Sequence, residues 1–377
     1  FLSGGIDSST VVAMMQAQSG RPVRTFTIGF RENRYDEAVH AGTVAQHLGT
    51  EHTELYLSEG DARAVVPSLP QIYDEPFADS SQIPTYLVSR LARKHVTVSL
   101  SGDGGDELFA GYNRYLWSAN IARAIRFAPR SLRALAAAAV RGIPVGVWDG
   151  LTDRLPGRLR LPQAGDKLHK LASIIGAANR EDAYFRLTSL WQDPARIVRN
   201  AVEPATVLSD PKRWPNLGAF MHDMMLLDAQ TYLPGDILTK VDRASMAVAL
   251  EARVPMLDHR VVEFAWRLPL DLKFRNGSGK WLLRRVLDRY VPARLIDRPK
   301  MGFGVPIDSW LRGDLREWAE GLLGEERLRR DGHFEPKPVR DMWAEHLSGR
   351  RNWQHQIWAV LMFQSWHDMW GKKSDRI

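Results

Sequence analysis

The sequence predicts an α/β fold: a doubly wound parallel sheet with a large, mostly helical C-terminal part. Strand-like and helix-like segments alternate over residues 1–116, and this order gives parallel strands. Two glycine-rich stretches follow strand-like segments in this part of the chain. Because ligands of such sheets bind beyond the carboxyl ends of the strands, we expect both stretches to line one site.

The pattern has a local reason in each element. We expect a strand of β-branched and aromatic residues over 23–30, then a helix over 36–48 that Gly49 closes. A strand over 51–57, a helix over 82–95 and a buried strand over 96–100 follow. The strand that leads into the first glycine-rich turn is only residues 1–2, whereas a central parallel strand needs about five residues. We therefore expect a segment before Phe1 to be missing.

From about Trp117 the chain reads as helices separated by proline and glycine breaks. Residues 121–140 are rich in alanine and arginine and predict a helix, and residues 154–170 predict a basic, solvated loop region. The interpretation is therefore a nucleotide-binding core over residues 1–116 and a mostly helical part over residues 117–377.

Composition bounds the class of protein. The 377 residues exceed the usual size of a single core. No apolar run approaches the roughly 18–20 residues of a membrane span, and no signal-peptide pattern opens the chain. We therefore expect a cytoplasmic protein without a membrane partner.

Charge and cysteine content narrow the chemistry. The absence of cysteine excludes disulfides, thiolate zinc sites and a cysteine nucleophile in this chain. The net charge of +7 is compatible with anionic substrates or with nucleic acid and does not distinguish them.

The opening turn predicts a phosphate-binding loop. Residues 3–5 (Ser-Gly-Gly) lie between a strand end and a helix that begins with hydroxyl residues. Adjacent glycines let the backbone approach a ligand, and a helix N-terminus attracts anions. Asp7 is an acid suited to hold magnesium beside the phosphates. The alternative is a simple turn between a strand and a serine-capped helix.

The Walker A pattern of P-loop proteins does not occur. The nearest stretch, residues 277–280 (Gly-Ser-Gly-Lys), has Phe274 where the first glycine should be and Trp281 where the hydroxyl should be. Residues 3–8 instead resemble the PP-loop of ATP pyrophosphatases, which split ATP into AMP and pyrophosphate.

The second motif, residues 99–112 (SLSGDGGDELFAGY), alternates glycines and acids at a strand end. Like charges packed this closely repel, so the arrangement favours a cation among them. Asp106 with Asp7 would form a two-acid magnesium site that also uses substrate phosphates. A solvated acidic loop is the alternative.

The third and fourth motifs place charges in apolar or stiff surroundings. Asp236, Lys240 and Arg243 fall on one face of a predicted helix, with ordinary surface ion pairs as the alternative. Lys300 lies in residues 298–306 (RPKMGFGVP), a loop expected to close over phosphate, although a surface lysine is the simpler interpretation.

In this order and spacing, the four motifs closely resemble the synthetase domain of glutamine-dependent asparagine synthetases, over nearly the whole chain. The resemblance implies a PP-loop ATP pyrophosphatase (adenine nucleotide alpha hydrolase-like) fold with the helical elaboration. It also implies an enzyme that binds ATP and Mg²⁺ and activates the side-chain carboxylate of aspartate as an acyl-adenylate. Ammonia then displaces AMP, giving asparagine.

The resemblance also implies residue roles. Lys300 matches a lysine that contacts the α-phosphate, and Asp103 matches an acidic position near the acyl group and the amine. Asp236 matches a more variable position of the third motif, near Asp242. Asp7 and Asp106 are the expected magnesium ligands. The positions expected to bind the nucleotide are Leu2, Ser3, Gly4, Gly5, Asp7, Ser8, Ser9, Ile28, Ser101 and Gly102.

The expected partners are small molecules: ATP, aspartate and ammonia. The resemblance implies no nucleic-acid partner, and a homodimer is compatible with it. The family's glutaminase half, which uses an N-terminal cysteine, has no counterpart in this cysteine-free chain. The full-length protein is therefore expected to carry that domain before Phe1, and the chain as written to use free ammonia.

Three rivals remain open at this point. Relatives of the synthetase activate other carboxylates, in β-lactam closure, peptide side-chain amide formation or polysaccharide modification. A tRNA-modifying PP-loop enzyme would share the first motif and would carry a tRNA-binding appendage, but residues 250–258 (LEARVPMLD) and residues 298–304 (RPKMGFG) argue against it. A non-catalytic scaffold would have lost ATP binding.

Overall fold

The computed structural model describes residues 1–30, 37–153, 164–297 and 304–371. The chain divides into two compact units, each assembled from separate stretches of sequence. Unit 1 is Phe1–Leu116, Met225–Val305 and Met369–Ile377, and unit 2 is Trp117–Met224 and Pro306–Asp368. The first and second motifs therefore share a unit with the third motif, although about a hundred residues of unit 2 separate them in sequence.

The described strands form three two-stranded sheets in unit 1. They are β1 (Arg24–Phe30), β2 (Glu51–Leu57), β3 (Val98–Leu100), β4 (Glu251–Arg253), β5 (Phe274–Arg275) and β6 (Ser278–Gly279). β1 pairs with β2 in parallel, from Arg24↔Glu51 to Phe30↔Leu57. β3 pairs with β4 in parallel and β5 with β6 antiparallel. The predicted α/β class and its parallel pairing are confirmed.

The first two residues lie between the two parallel pairs. The Leu2 amide donates to the Phe26 carbonyl at 3.0 Å, and the Phe1 amine donates to the Leu100 carbonyl at 2.7 Å. β1–β2 and β3–β4 are separate pairs, and residues 1–2 hydrogen-bond to one strand of each pair.

Six described α-helices lie among the strands of the first 116 residues in chain order. They are α1 (Ile6–Ala17), α2 (Ala38–Leu48), α3 (Glu59–Arg63), α4 (Leu69–Tyr73), α5 (Gln82–Arg93) and α6 (Gly105–Leu108). Of these, α2, α3 and α5 pack against β1 or β2. Gly49 closes α2 in the left-handed conformation (φ 68°, ψ 33°), as predicted. Leu2 packs in a buried cluster with Val12 of α1 and Val44 of α2, so the core begins at the opening turn.

The next helices are α7 (Asn113–Phe127), α8 (Arg130–Gly142), α9 (Val145–Asp153), α10 (Ala164–Ile175), α11 (Arg180–Thr188) and α12 (Phe220–Gln230). The helix predicted over residues 121–140 is two helices, because Pro129 precedes the first turn of α8. Lys167 and Lys170 lie on α10, so the prediction of a loop at these two residues is wrong. Residues 154–163 are outside the described part of the chain.

Segment 225–305 adds α13 (Thr239–Met246), α14 (His259–Arg267), α15 (Leu270–Lys273) and α16 (Trp281–Leu287). Unit 2 ends with α17 (Ile307–Arg312), α18 (Arg316–Leu323), α19 (Glu325–Asp331), α20 (Pro336–Leu347) and α21 (Gln354–Trp366). Two π-helical turns are Leu233–Leu238 and His367–Gly371. The short 3₁₀ helices are Val66–Ser68, Pro194–Arg196, Pro211–Arg213, Pro255–Leu257 and Ala293–Leu295.

Among the described helices, none is both long enough and apolar enough to cross a membrane by itself. Arg130–Gly142 and Val145–Thr152, bent by 81° at the break between them, meet the length and composition criteria only as a pair.

Candidate active site

The opening turn is held by its own serine hydroxyls. The Ser3 amide donates to Ser8 Oγ at 3.2 Å, and the two hydroxyl oxygens lie 2.9 Å apart. The Gly5 amide donates to Ser3 Oγ at 3.3 Å. Ser8 lies in the first turn of α1, so these bonds fold the turn back onto the helix start. The result is a compact loop ahead of a helix N-terminus, the geometry that binds phosphate in many proteins.

The hydroxyls at the start of α1 have different surroundings. Thr10 Oγ1 donates to the Ile6 carbonyl at 2.7 Å, within the helix. The Ser9 side chain is fully buried, and its hydroxyl has no hydrogen-bond partner within the described ranges. Ser8 thus contributes to the turn, whereas Ser9 lies in the interior.

Three glycines make the close packing of the site possible. Gly4 has a positive φ of 72° and lies against the backbone of His40 and Ala41, 3.0 Å from where its Cβ would be. A Cβ on Gly102 would lie 2.6 Å from the Ser8 amide nitrogen, and one on Gly105 would lie 2.5 Å from Asp7 Oδ1. The second motif therefore packs directly on the first turn of α1, an approach that only glycine permits.

Asp7 and Asp106, the two predicted magnesium ligands, come together on one cation. Lys280 Nζ contacts the Asp7 carboxylate and lies 2.7 Å from Asp106 Oδ1. The lysine side chain is 7% exposed, and each carboxylate is 17% exposed. Burial alone would lower the pKa of Lys280, but the two carboxylates outweigh it and raise the pKa above its usual range.

Lys280 belongs to the candidate site although no motif indicates it, since residues 277–280 fail the Walker A pattern. It caps α16 with a positive φ of 57°. Its amide donates to the Phe109 carbonyl at 2.7 Å, which ties it to the second motif. The only sequence signal is a lysine next to glycines in a non-helical stretch, and its partners lie up to 273 residues away.

Asp103 and Ser101 form a second polar pair in the second motif. The Ser101 hydroxyl donates to Asp103 Oδ2. Burial raises the pKa of Asp103, while this hydrogen bond and the positive charge of Lys240 oppose the rise.

Glu107, another acid of the second motif, is hydrogen-bonded to Tyr112. Tyr112 Oη donates to Glu107 Oε1 at 2.6 Å, and the glutamate is buried. Burial raises the pKa of Glu107 to about 7, with a further contribution from the charge of Asp106. The acids of the second motif therefore divide among separate partners and do not face one cation together.

The third motif contributes Asp236 and Lys240 to a partly buried charge cluster, which we call the Lys240 cluster: Asp79, Ser81, Asp236 and Lys240. Lys240 Nζ lies 2.7 Å from Asp79 Oδ2 and 2.8 Å from Ser81 Oγ. Burial alone would raise the pKa of Asp79, but Lys240 holds it below its usual range. Burial and the neighbouring charge of Asp79 raise the pKa of Asp236 to about 7. The alternative of ordinary surface pairs fails for Lys240, which is 11% exposed.

Arg243 forms an ordinary surface ion pair, the alternative interpretation of the third motif. Its guanidinium contacts Asp242, and the two side chains are 42% and 53% exposed. The predicted charged face therefore separates into a buried half at Lys240 and an exposed half at Arg243.

Three predicted positions remain: Leu2, Ile28 and Lys300. Leu2 and Ile28 are buried, each 2% exposed, and could offer only backbone atoms to a ligand. Lys300, with the rest of residues 298–303, lies outside the described residues.

The site fits a magnesium–nucleotide complex by its donor set. Within the described ranges, no group of three or more histidine, aspartate or glutamate side chains is arranged to hold a metal. Magnesium often takes only one or two carboxylates and completes its shell with substrate phosphates and water. Asp7 and Asp106 already converge on one positive charge beside a helix N-terminus, so they could hold Mg²⁺ together with phosphate.

Comparisons with known proteins identify one family. A family model described as asparagine synthase matches residues 1–368. Asparagine synthetase [glutamine-hydrolyzing] 1 of Bacillus subtilis (strain 168) is 31% identical over 382 residues, 98% of this chain and 55% of that protein. A putative asparagine synthetase [glutamine-hydrolyzing] of Mycobacterium bovis is 34% identical over 378 residues, 97% of this chain and 54% of that protein.

A more distant relative is the asparagine synthetase [glutamine-hydrolyzing] of Homo sapiens, 24% identical over 388 residues, 95% of this chain and 50% of that protein. The chain spans about half the length of the curated relatives it matches. The match of the family model over almost the whole chain confirms the resemblance predicted from the motifs. The chain belongs to the asparagine synthase family.

Proposed function

We propose that this chain is an ATP-dependent amide ligase that adenylates the side-chain carboxylate of aspartate and transfers ammonia to it. The products would be asparagine, AMP and pyrophosphate. The observation that supports this most directly is the convergence of Asp7 and Asp106 on one cation beside the Ser-Gly-Gly turn. The printed names of the relatives, asparagine synthetases, favour aspartate as the acid.

The phosphates of ATP would lie at the opening turn. Residues 3–5 and the first turn of α1 offer amide groups and the Ser8 hydroxyl, and the helix N-terminus attracts negative charge. Asp7 and Asp106 would hold Mg²⁺, which supplies positive charge to the phosphates when bound. The backbone of Leu2, Ile28 and Gly102 would contact the adenosine, as the family resemblance implies.

The chemistry would run in two steps. A carboxylate oxygen of aspartate attacks the α-phosphorus, the bond to the β-phosphate oxygen breaks, and pyrophosphate leaves. Ammonia then attacks the acyl carbon, and AMP leaves with the electron pair of the broken carbon–oxygen bond. Lys300 would stabilise the charge that develops on the α-phosphate in the first step.

Two carboxylates, those of Asp103 and Asp236, would accept or hold the protons of the second step. Ammonia loses a proton as the amide forms, and Asp103 would accept it at its carboxylate, where burial already raises the pKa. Asp236, with a pKa of about 7, is suited to hold or release a proton near neutral pH.

The fold that we propose for unit 1 is the doubly wound PP-loop type. The hydrogen bonds of residues 1–2 to Phe26 and Leu100 support it. They give the order β2, β1, residues 1–2, β3 and β4 across the unit. Numbered along the chain, this is 3-2-1-4-5, the first five positions of the 3-2-1-4-5-6 order of a doubly wound sheet. In this order the opening turn follows the central segment, where such folds bind ligands.

An ATP–pyrophosphate exchange assay across candidate acids tests the function. We expect Mg²⁺-dependent exchange with aspartate, and at least a hundredfold slower exchange in the Asp7→Asn and Asp106→Asn variants. Asp271→Asn is the matched control, because this aspartate is 63% exposed and pairs with Arg275. If another carboxylic acid supports exchange and aspartate does not, that acid is the substrate in place of aspartate. Binding of Mg-ATP without exchange for any acid would overturn the reaction class.

A further inference from the structure

We propose that Lys280 is a resident counter-cation for Asp7 and Asp106, and that a divalent cation loads onto these carboxylates only by displacing its ammonium. The inference rests on the metal ligands assigned in the proposed function. It adds a residue that competes with the metal, one that no motif of the sequence assigns.

The Lys280 ammonium and a divalent cation would compete for the same position between the carboxylates of Asp7 and Asp106. Lys280 Nζ contacts the Asp7 carboxylate and lies 2.7 Å from Asp106 Oδ1. Mg²⁺ binds carboxylate oxygens at about 2.0–2.1 Å in a near-ideal octahedron. An ammonium that already lies against both carboxylates occupies the approach to the same oxygens, and two cations so close repel each other.

The lysine is built into this position by its backbone. Its positive φ of 57° is uncommon for a residue with a side chain, and such conformations persist where the surroundings impose them. The Lys280 amide donates to the Phe109 carbonyl at 2.7 Å. A Cβ on Gly279 would lie 2.0 Å from the Ala110 carbonyl oxygen, so the chain approaches the second motif as closely as glycine allows.

Gly111 provides the space through which the side chain reaches the pair. A Cβ at this position would lie 2.0 Å from Lys280 Cε and 2.1 Å from Asp106 Oδ1. The backbone of the second motif therefore fits the lysine stem and the carboxylate together. The four-carbon side chain of lysine is flexible, so the ammonium can leave without movement of the backbone.

The charges explain why a resident cation is needed. Two carboxylates that are 17% exposed each would repel if nothing neutralised them. With Lys280 the group carries one net negative charge, and with a divalent cation in its place it carries none. With both cations present the group would be positive, so metal and ammonium exclude each other.

Binding of Mn²⁺ to the nucleotide-free protein tests the inference, with free Mn²⁺ followed by electron paramagnetic resonance. We expect Lys280→Met to bind Mn²⁺ roughly tenfold more tightly than wild type, because no ammonium has to be displaced. The matched control is Lys273→Met, which removes another buried lysine of the same unit, one that lies 4.7 Å from the centre of the Trp266 ring. Equal or weaker Mn²⁺ binding by Lys280→Met, or an equal gain in the control, would overturn the inference.

Thermal unfolding covers the case in which Lys280→Met is unstable. Without a metal this variant should unfold at a lower temperature than wild type, because the two largely buried carboxylates lose the ammonium that lies against both of them. Added Mn²⁺ should raise its unfolding temperature more than that of wild type, since ligands stabilise the state that binds them more tightly. A smaller or equal rise contradicts the inference.

Asp7→Asn in the Lys280→Met background separates this inference from the proposed function. If that double variant binds Mn²⁺ as tightly as Lys280→Met does, the metal ligands themselves are wrongly assigned and both proposals fail. If Asp7→Asn abolishes binding but Lys280→Met gains nothing over wild type, only the role of Lys280 is overturned.

Discussion

Gly102 fits against the first turn of α1 because it has no side chain. In the Gly102→Ala variant the added methyl would lie 2.6 Å from the Ser8 amide nitrogen and 2.8 Å from the Asp7 carbonyl carbon. Backbone atoms cannot yield as a flexible side chain can, so we expect a loss of about 1–3 kcal/mol in the free energy of unfolding. Urea denaturation measures this loss, and calorimetry should show weaker Mg-ATP binding.

The matched control is Gly321→Ala on α18, where a Cβ would have no atom within 4 Å. Alanine favours a helix interior by up to about 1 kcal/mol over glycine, so this variant should be as stable as wild type or more so. Identical behaviour of the two variants would show that the second motif does not pack on the opening turn as described.

A single substitution tests the role that we propose for Lys300. If it contacts the α-phosphate, Lys300→Ala should slow aspartate-dependent pyrophosphate release about a hundredfold or more, through loss of one preorganised charge. Lys337→Ala is a suitable control, because Lys337 is 83% exposed and pairs with Asp341 within α20. Pyrophosphate release near the wild-type rate would remove Lys300 from the site.

At the scale of elements, the Lys240 cluster joins α13 to the segment before α5. Lys240→Met leaves Asp79 and Asp236 buried without their cation, and removal of one partner of a buried pair typically costs about 3–5 kcal/mol. A double variant with Asp79→Asn should recover part of this loss. Urea denaturation of the two single variants and the double variant measures the coupling. Additive losses would mean that the pair does not connect the two elements energetically.

The contact between α17 and α20 predicts a response to acid. Burial and the nearby Arg312 guanidinium lower the pKa of His346 to about 4, and its Nδ1 accepts a hydrogen bond from the Trp353 amide. The neutral ring is therefore the folded form. The unfolded chain binds the proton first, so stability falls as pH drops from about 6.5 to about 4.

Wild type should lose on the order of 2–3 kcal/mol across this window through His346. His346→Gln should show a smaller loss, and urea midpoints at several pH values for both proteins measure the difference. Parallel pH profiles would contradict the assignment. The comparison with the variant is needed because carboxylates elsewhere also titrate in this range.

The sequence predicted the elements that depend on neighbouring residues. The strand over residues 51–57 and the Gly49 cap follow local patterns, and both are confirmed. The prediction of one helix over residues 121–140 missed the break at Pro129, although proline removes an amide from a helix interior. The partners of Lys240 and Lys280 were not readable, because each pairing joins residues more than 150 positions apart and depends on how the elements pack.

At the scale of the whole molecule, the absence of cysteine bears on the nitrogen source of the reaction that we propose for this chain. The sequence contains no cysteine, so the chain has no thiolate to attack the amide of glutamine as the family's glutaminase half does. We expect asparagine to form from aspartate, Mg-ATP and an ammonium salt, and not when glutamine replaces the ammonium salt. Chromatography of the products distinguishes the two. Asparagine formed equally well from glutamine would point to a different nucleophile.

The contact of Asp7 with Lys280 also has a consequence for how the chain folds. It closes a loop of 273 residues, and Trp117–Met224 of unit 2 lies within that loop. During synthesis Asp7 is made 273 residues before Lys280, so this contact cannot form until the lysine has been added to the chain. The entropy of closure grows only slowly with loop length, but contacts so distant in sequence form late in folding. Formation of the Asp7–Lys280 contact would therefore mark the completion of unit 1.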